Sequence, residues 1–398
     1  MPRLLSALVL AGAVAALAAG CGKQTTGPQP APTQTVTAPV SGVAGDEPQA
    51  AGDLGFPAFA TKNTTRVGGA DPTADAAGVA QAVFPSTSPT SRPPAVVLAD
   101  SESWPGALAA AVLMARPTRA PLLLAHGTDL PAATENALAR LAPAGSKVLG
   151  DAQVIRVGDV PTPAGLRSTS IDGEDAFALA AAIDRVATSA RGEPASAVMV
   201  AGTGDPAFAM PAAAWAAKAG DPLLFVERDR VPAATRQALR RHTRPAIYVV
   251  GPKSQVSDRV LADLRRVGSS VTRISGPDAA RNAIAFARFS AGGFGWGLVD
   301  PGHGLVIANP SSPAAAAAAA PLSSSGTYGP LLLTDEAGGL PEPLVQFLLD
   351  IQPGYEDDPV RGVYNHAWLI GDEQAVTLDA QARIDTLLEI SPVNDESP

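Results

Sequence analysis

The chain has 398 residues, of which 46% are hydrophobic and 17% are charged, and its formal net charge is −9. A chain of this length and composition can bury more than one hydrophobic core, so we expect two or three folded units. The acidic balance argues against nucleic acid as a partner, because binding to a phosphate backbone needs an excess of Lys and Arg.

The N-terminus has the layout of a secretory signal. Arg3 precedes an apolar stretch from Leu4 to Ala19, which is shorter than the roughly 20 residues of a membrane-spanning helix. The small residues before Cys21 resemble the lipobox of bacterial lipoproteins, in which the cysteine that follows the cleavage site is acylated. We therefore expect a signal peptide over residues 1–20 and a lipid anchor at Cys21, which places the protein on the outer face of the membrane.

Cys21 is the only cysteine of the chain, so an intramolecular disulfide is excluded. The residues after it, from 21 to 55, are dominated by Thr, Pro, Gly, Gln, Ala and Val. Such a composition cannot bury a core, so we expect an extended, disordered linker there. Residues 392–398 form a short tail.

One pattern recurs three times at a spacing of about 104 residues, which indicates a repeated design. Each copy begins with a short strand, a turn that contains glycine, and an Asp placed to cap an Ala-rich helix. These residues are Asp71, Asp175 and Asp278. We assign the three repeats to residues 56–159, 160–268 and 269–391.

Within each copy, two apolar runs predict strands that are buried on both faces. The first run, the central strand, spans residues 95–99, 197–201 and 305–308. The second run follows a proline and holds the nine residues Leu122, Leu123, Leu124, Leu223, Leu224, Phe225, Leu331, Leu332 and Leu333. A proline-initiated helix lies between the two runs, and the alanine run 314–320 is predicted to be such a helix.

A final apolar strand ends in glycine in every copy, at Gly158, Gly251 and Gly371. Each copy is therefore a series of alternating strands and helices, which connection rules fold into a parallel sheet covered by helices. The predicted fold class is α/β, with three tandem Rossmann-like or Toprim-like parallel-sheet repeats. We expect the repeats to pack with pseudo-threefold symmetry.

The order of these features resembles the cell wall-binding repeat type 2 family, from Phe56 to Ile390. Members of that family carry three tandem repeats that hold surface proteins non-covalently on cell-wall polymers. The resemblance implies a non-catalytic protein that faces the cell wall and binds a cell-wall glycopolymer. In that family the hydrophobic-Leu-Leu segment is implicated in wall anchoring, so the resemblance implies ligand-binding roles for the nine residues of the proline-led strands.

The chain departs from the family pattern in two places. The family's Arg-Tyr-x-Thr after the first Asp is replaced by Pro72-Thr73-Ala74-Asp75. The family's Asp in the central helix is replaced by Gly106, by Phe208 and by an alanine in the third repeat. Both changes remove polar groups from the strand ends where ligands of α/β sheets bind.

The loops after the central strands are a second candidate site, because ligands of parallel sheets bind beyond the carboxyl ends of the strands. The candidate residues are Asp100, Ser103, Gly202, Gly204, Asp205, Asn309 and Ser312. A small molecule or nucleotide bound there is an alternative to wall binding. Another alternative is a scaffold that holds partner proteins near the membrane.

The motif search predicts neither an enzyme nor a cofactor. The segment from Gly202 to Ala207 has the outline of a dinucleotide-binding turn, but Pro206 removes an amide and Asp205 would place a negative charge beside the phosphates. The four histidines show no ligand spacing, which favours surface or loop positions and no metal site. The sequence has no Gly-x-Ser-x-Gly elbow for a nucleophile. The acidic residues 356–358 predict a solvated loop.

Overall fold

The computed structural model describes residues 58–69, 71–326 and 328–393, which belong to one compact unit. The predicted signal peptide, the lipidation site at Cys21, residues 21–55 and the last five residues lie outside this part of the chain. None of the helices in the described part is long and apolar enough to cross a membrane.

The described residues form fifteen strands, which build three large sheets and one short pair. In chain order they are β1 (Ala58–Ala60), β2 (Thr64–Val67), β3 (Val96–Asp100), β4 (Leu122–Ala125), β5 (Val154–Val157), β6 (Ser168–Ile171), β7 (Ala197–Gly202), β8 (Leu223–Val226), β9 (Ala246–Val250), β10 (Ser270–Ile274), β11 (Gly304–Ala308), β12 (Leu331–Leu333), β13 (Gly354–Tyr355), β14 (His366–Ile370) and β15 (Ser391–Pro392).

Eleven α-helices connect and cover these strands in the described part of the chain. They are α1 (Pro72–Val83), α2 (Trp104–Ala110), α3 (Ala132–Leu141), α4 (Ala176–Arg191), α5 (Met210–Ala219), α6 (Ala233–Arg241), α7 (Asp258–Leu264), α8 (Ala279–Arg288), α9 (Pro313–Ala319), α10 (Glu342–Asp350) and α11 (Leu378–Leu387).

The three large sheets share one strand order, with the proline-led strand at one edge and the central strand beside it. The first sheet has the order β4-β3-β5-β6, the second β8-β7-β9-β10 and the third β12-β11-β14-β2. All of these neighbours pair in parallel, and β1 adds to the outside of β2 as an antiparallel strand. The predicted α/β class with three parallel-sheet repeats is therefore confirmed.

Each sheet obtains its fourth strand from the following repeat. The leading strands β6 and β10, which begin the second and third repeats, pair with β5 and β9 of the repeat before. The leading strand of the first repeat, β2, pairs with β14 at the end of the third repeat. The series of repeats therefore closes into a ring, in which the N-terminal strand completes the last sheet.

A leading helix follows each leading strand and carries the chain to the next sheet. Helices α1, α4 and α8 pack against β4, β8 and β12, which belong to their own repeats. The three aspartates predicted as caps accept backbone N–H bonds at the start of these helices, as Asp175 does from Ala178 at 2.7 Å. Each strand-turn-helix segment therefore joins two neighbouring sheets.

The axial helices α2, α5 and α9, which follow the central strands, pack against one another. Every residue from Ala314 to Ala319 in α9 is buried, which confirms the alanine run as a core helix. Small side chains let three helices approach closely without voids or clashes. Ser103 and Ser312 precede α2 and α9 as predicted, but their side chains make no capping hydrogen bond, so the proline in the first turn marks these helix starts.

Arg66 on β2 fixes the closing strand to the third repeat. Its side chain is buried, and its guanidinium donates to the carbonyl oxygens of Gly371 at 3.1 Å and Val376 at 2.7 Å. It also donates to the Asp372 carbonyl and to Gln381 Oε1 on α11. One cation therefore satisfies the backbone acceptors of the loop that follows β14.

The other two sheets solve the same problem with an arginine at the same strand pair. In the second sheet, Arg273 on β10 donates to the carbonyls of Gly251 and Val256 at 2.8 and 2.7 Å. In the first sheet the leading strand has Ser170 at this position, and its partner on β5 is Arg156, which donates to Val160 O at 3.1 Å. The arginine is thus a structural residue of the strand exchange, on the leading strand in two sheets and on its partner strand in the first.

Replacing Arg66 with Met should open the ring at its closing strand. The change leaves buried carbonyls of the loop after β14 without donors, so we expect a loss of about 3 kcal/mol or more in the free energy of unfolding. Hydrogen exchange should accelerate in β2 and β14 more than in the first sheet. Arg92→Met, at an exposed arginine, is the matched control. Equal acceleration in all three sheets would contradict a local role in closure.

Candidate functional site

The nine residues of the proline-led strands lie inside the sheets. Leu122, Leu123 and Leu124 are 0% exposed, and the other six are at most 1% exposed. Their side chains are covered by helices such as α1 on β4 and α4 on β8. In this arrangement the strands supply core contacts and present no side-chain surface to a polymer.

The strand-end loop of the first sheet is held by Asp100. Its carboxylate accepts backbone hydrogen bonds from Glu102 at 3.1 Å and Gly127 at 3.2 Å, so it joins the loops after β3 and β4. Behind this loop Leu179 of α4 lies against Gly106, where an added Cβ would be 3.0 Å from the leucine. An apolar side chain therefore closes the first strand end.

The glycine-rich turn of the second sheet is occupied by Gln255. Its side-chain Oε1 accepts from the Asp205 amide at 3.0 Å, and a Cβ added to Gly202 would lie 2.6 Å from the Gln255 carbonyl oxygen. The Asp205 carboxylate accepts from the Ala207 amide at 3.0 Å. Gly202 and Gly204 thus make room for a glutamine of the same chain, where a dinucleotide turn would receive phosphates.

The strand end of the third sheet forms a cleft of about 230 Å³. Asn309 and Ser312, two of the residues predicted to bind a ligand, lie in its lining. Because β2 belongs to this sheet, the segment after β2 adds Asp71 and, from the first turn of α1, Asp75 to the same cleft, and the loop after β14 adds Asp372. The Asn309 amide donates to the Ala375 carbonyl at 3.0 Å and fixes the wall of the cleft.

Asp75 is the chemically unusual residue of this cleft. It is 5% exposed, and its Oδ1 accepts from the Gly69 amide at 2.9 Å. Gly68, at φ +126°, leaves room for the carboxylate, because an added Cβ would lie 2.1 Å from Oδ1. Burial, together with the negative charges of Asp71 and Asp372, raises the pKa of Asp75 to about 7 against the opposing effect of the Gly69 hydrogen bond.

The corresponding positions in the other leading helices are Leu179 and Asn282, each four residues after the capping aspartate. Asn282 is fully buried, accepts from the Gly276 amide at 3.2 Å and donates to the Phe208 carbonyl at 3.0 Å. The amide of Asn282 thus makes the same turn contact as the carboxyl of Asp75. This position was not among the site residues predicted from the sequence, although its constant distance from the capping aspartate could have identified it.

The described residues contain no group of three or more His, Cys, Asp or Glu side chains that could hold a metal ion. His242 lies in the loop after α6, but it is not a surface residue, because it is 2% exposed. Its Nε2 lies 3.0 Å from Asp184 Oδ1, and its Nδ1 accepts from the Ala195 amide at 3.0 Å. These contacts assign the proton to Nε2 and make the pair a buried connection between α4 and the end of α6.

Two segments of the chain, residues 66–158 and 170–261, match the family model of Cell wall binding domain 2. Among curated proteins, none matches the sequence.

Two solved structures from Clostridium difficile are similar in fold. Cwp8 superposes with a TM-score of 0.62 at 19% sequence identity, over 82% of this chain and 52% of Cwp8. Cwp6 superposes with a TM-score of 0.63 at 18% identity, over 83% of this chain and 51% of Cwp6. This chain therefore spans about half the length of either protein.

Replacing Asp75 with Asn should remove a pH dependence of stability. The folded-state pKa of about 7 lies above the ordinary aspartate value of 3.8, so the folded state of the wild type binds more protons than the unfolded state between these values. Wild-type stability should therefore fall as the pH rises from about 4 to 7, by up to about 4 kcal/mol. Asn282 indicates that an amide fits this position.

Chemical denaturation from about pH 4 to 9 measures this difference between Asp75→Asn and the wild type. The variant should match the wild type near the lower limit and exceed it in stability above pH 7. Glu336→Gln, at an exposed carboxylate of the same cleft, is the control and should leave the profile unchanged. A constant difference over the whole range would contradict the assignment.

Proposed function

We propose that this chain is a non-catalytic lipoprotein of the cell envelope that binds a cell-wall glycopolymer through three α/β repeats. The observation that carries the proposal is the match of residues 66–158 and 170–261 to Cell wall binding domain 2. A wall-binding role places the repeats outside the cell, in agreement with the secretory signal over residues 1–20.

The third repeat is proposed as a further copy of the same domain. Its sheet has the strand order of the other two, and its leading and axial helices, α8 and α9, occupy the equivalent places. Residues 269–391 therefore complete the set of three repeats, and the same reasoning assigns residues 56–159 and 160–268 to the first two.

The apolar residues of the proline-led strands support wall binding indirectly in this proposal. Leu122 to Leu124 and their equivalents are buried, so changes there would unfold a sheet before they altered a binding surface. The polymer must meet exposed groups on the outside of the ring. The contacts that fill the first two strand ends, made by Leu179 and Gln255, favour a binding protein over an enzyme.

Sedimentation with purified wall sacculi tests the proposal. The chain from Gly22 to Pro398 should pellet with sacculi that retain their secondary polymers, because these polymers are the proposed ligand. It should stay in the supernatant when the polymers have been removed by acid extraction. Absence of the protein from both pellets, with its circular dichroism unchanged, would defeat the proposed function.

The proposed anchor at Cys21 has a separate test in a bacterium that acylates lipoproteins. Labelling with a palmitate analogue should mark the wild type and leave Cys21→Ser unlabelled, because the only thiol of the chain is lost. The variant should also move from the membrane fraction to the soluble fraction. Thr26→Ser, in the same segment, is the control. A label that persists in Cys21→Ser would exclude this residue as the acylation site.

A further inference from the structure

A groove of about 840 Å³ lies between helices α6 and α7 of the second repeat. Five exposed arginines line it, and Asp263 is the one carboxylate in its lining. The arginines are Arg236, Arg240, Arg244, Arg259 and Arg266. Five positive charges less one negative charge leave the groove at about +4, in a chain whose net charge is −9. We call this feature the arginine groove.

Part of this charge is not neutralised by the protein. Asp263 pairs with Arg266 at 2.9 Å, and Arg244 donates to the Gly268 carbonyl at 3.2 Å. Within the described residues, Arg240 and Arg259 make neither an ion pair nor a hydrogen bond. Their guanidinium groups are exposed and retain all their donors for a ligand.

Helix stability does not explain Arg236 and Arg259. Arg236 lies one turn from Arg240 on α6, and two like charges at this spacing repel, although the position of Arg240 in the last turn is favoured by the helix dipole. Arg259 lies in the first turn of α7, where the helix dipole disfavours a positive charge. The placement of Arg236 and Arg259 therefore costs a little stability.

The fold does not require them either, because the other two repeats lack them. Counted from the proline that begins each helix, Arg236 and Arg240 correspond to Glu135 and Ala139 in α3. In α10 the corresponding residues are Val345 and Leu349. The charge is thus confined to the second repeat.

The first repeat has a groove at the equivalent place, of about 670 Å³, which serves as an internal comparison. Arg92, Arg167 and Glu135 are its charged residues, and much of the remaining lining is Pro, Ala and Leu. The concave shape therefore comes from the fold, whereas the strong positive charge is particular to the second repeat.

We propose that the arginine groove binds an anionic polymer, whose phosphate or carboxylate groups accept hydrogen bonds from Arg240 and Arg259. The planar guanidinium fork matches both anions with two parallel N–H bonds. The groove is long enough to meet several repeat units, since α6 alone, with nine residues, rises about 13 Å. This inference rests on the proposed function, in which the polymer belongs to the cell wall. It assigns an anion site to the second repeat that the other two repeats lack.

Binding of defined polymers to the chain from Gly22 to Pro398 tests the proposal. The probes are poly(glycerol phosphate), polygalacturonate and neutral dextran, each immobilised on a sensor. We expect one or both anionic polymers to bind, more weakly at about 300 mM than at about 50 mM salt, and dextran not to bind. Comparison of the affinities for poly(glycerol phosphate) and polygalacturonate shows whether the groove prefers phosphate or carboxylate groups.

Charge reversal at the groove should abolish most of this binding. Arg240→Glu with Arg259→Glu should weaken the affinity about tenfold or more. The matched control is Arg140→Glu with Arg383→Glu, which changes the net charge equally at exposed arginines of the other repeats. If the glutamate pair lowers the Tm, Arg240→Gln with Arg259→Gln takes its place. An equal loss in the control, or no loss in the groove variant, would overturn the proposal.

Sedimentation with sacculi separates this proposal from the proposed function. If the wild type and the groove variant pellet equally, wall binding stands and the arginine groove is excluded as its site. If neither pellets, the proposed function fails, and binding to the immobilised polymers alone decides whether the groove is an anion site. Pelleting of the wild type and the control pair, without the groove variant, supports both.

Discussion

The structure depends on the exchange of leading strands between neighbouring repeats. A parallel sheet that ended at β5, β9 or β14 would expose a row of unpaired N–H and C=O groups, and the next leading strand covers that row each time. The pairing of β2 with β14 applies the same solution to the last sheet. A repeat removed from this ring would therefore lose the leading strand that the following repeat supplies, and its own leading strand would have no parallel sheet to join.

The composition of the chain follows from the way the repeats meet. Three axial helices converge at the centre, and the side chains on their facing sides must be small so that the backbones can approach closely. The alanines of α9 meet this requirement. Longer side chains would force strained rotamers or separate the helices. The abundance of alanine is thus a packing requirement of the centre of the ring as well as a feature of helix propensity.

Local patterns in the sequence were sufficient to predict the four strands of each repeat, the axial helices and the capping aspartates. They could not predict the strand exchange, because the residues of a leading strand read the same whichever sheet the strand joins. For the same reason, the patterns did not place Asp75 beside Asn309. These two residues line one cleft only because β2 joins the third sheet. The burial of His242 could not be predicted either, because its partner Asp184 lies 58 residues away in the sequence. The arginine groove combines residues from two helices whose spacing forms no recognisable motif.

The closed ring also imposes an order on folding during synthesis. The first and second sheets obtain their leading strands soon after their own strands have emerged, whereas Arg66 meets Leu369 only after about 300 further residues have been made. Until then β2 pairs only with β1, and the edge of β2 that β14 will cover stays open. The third sheet is therefore completed last. The pairing of β2 with β14 closes the ring and joins the three sheets into one cooperative folding unit.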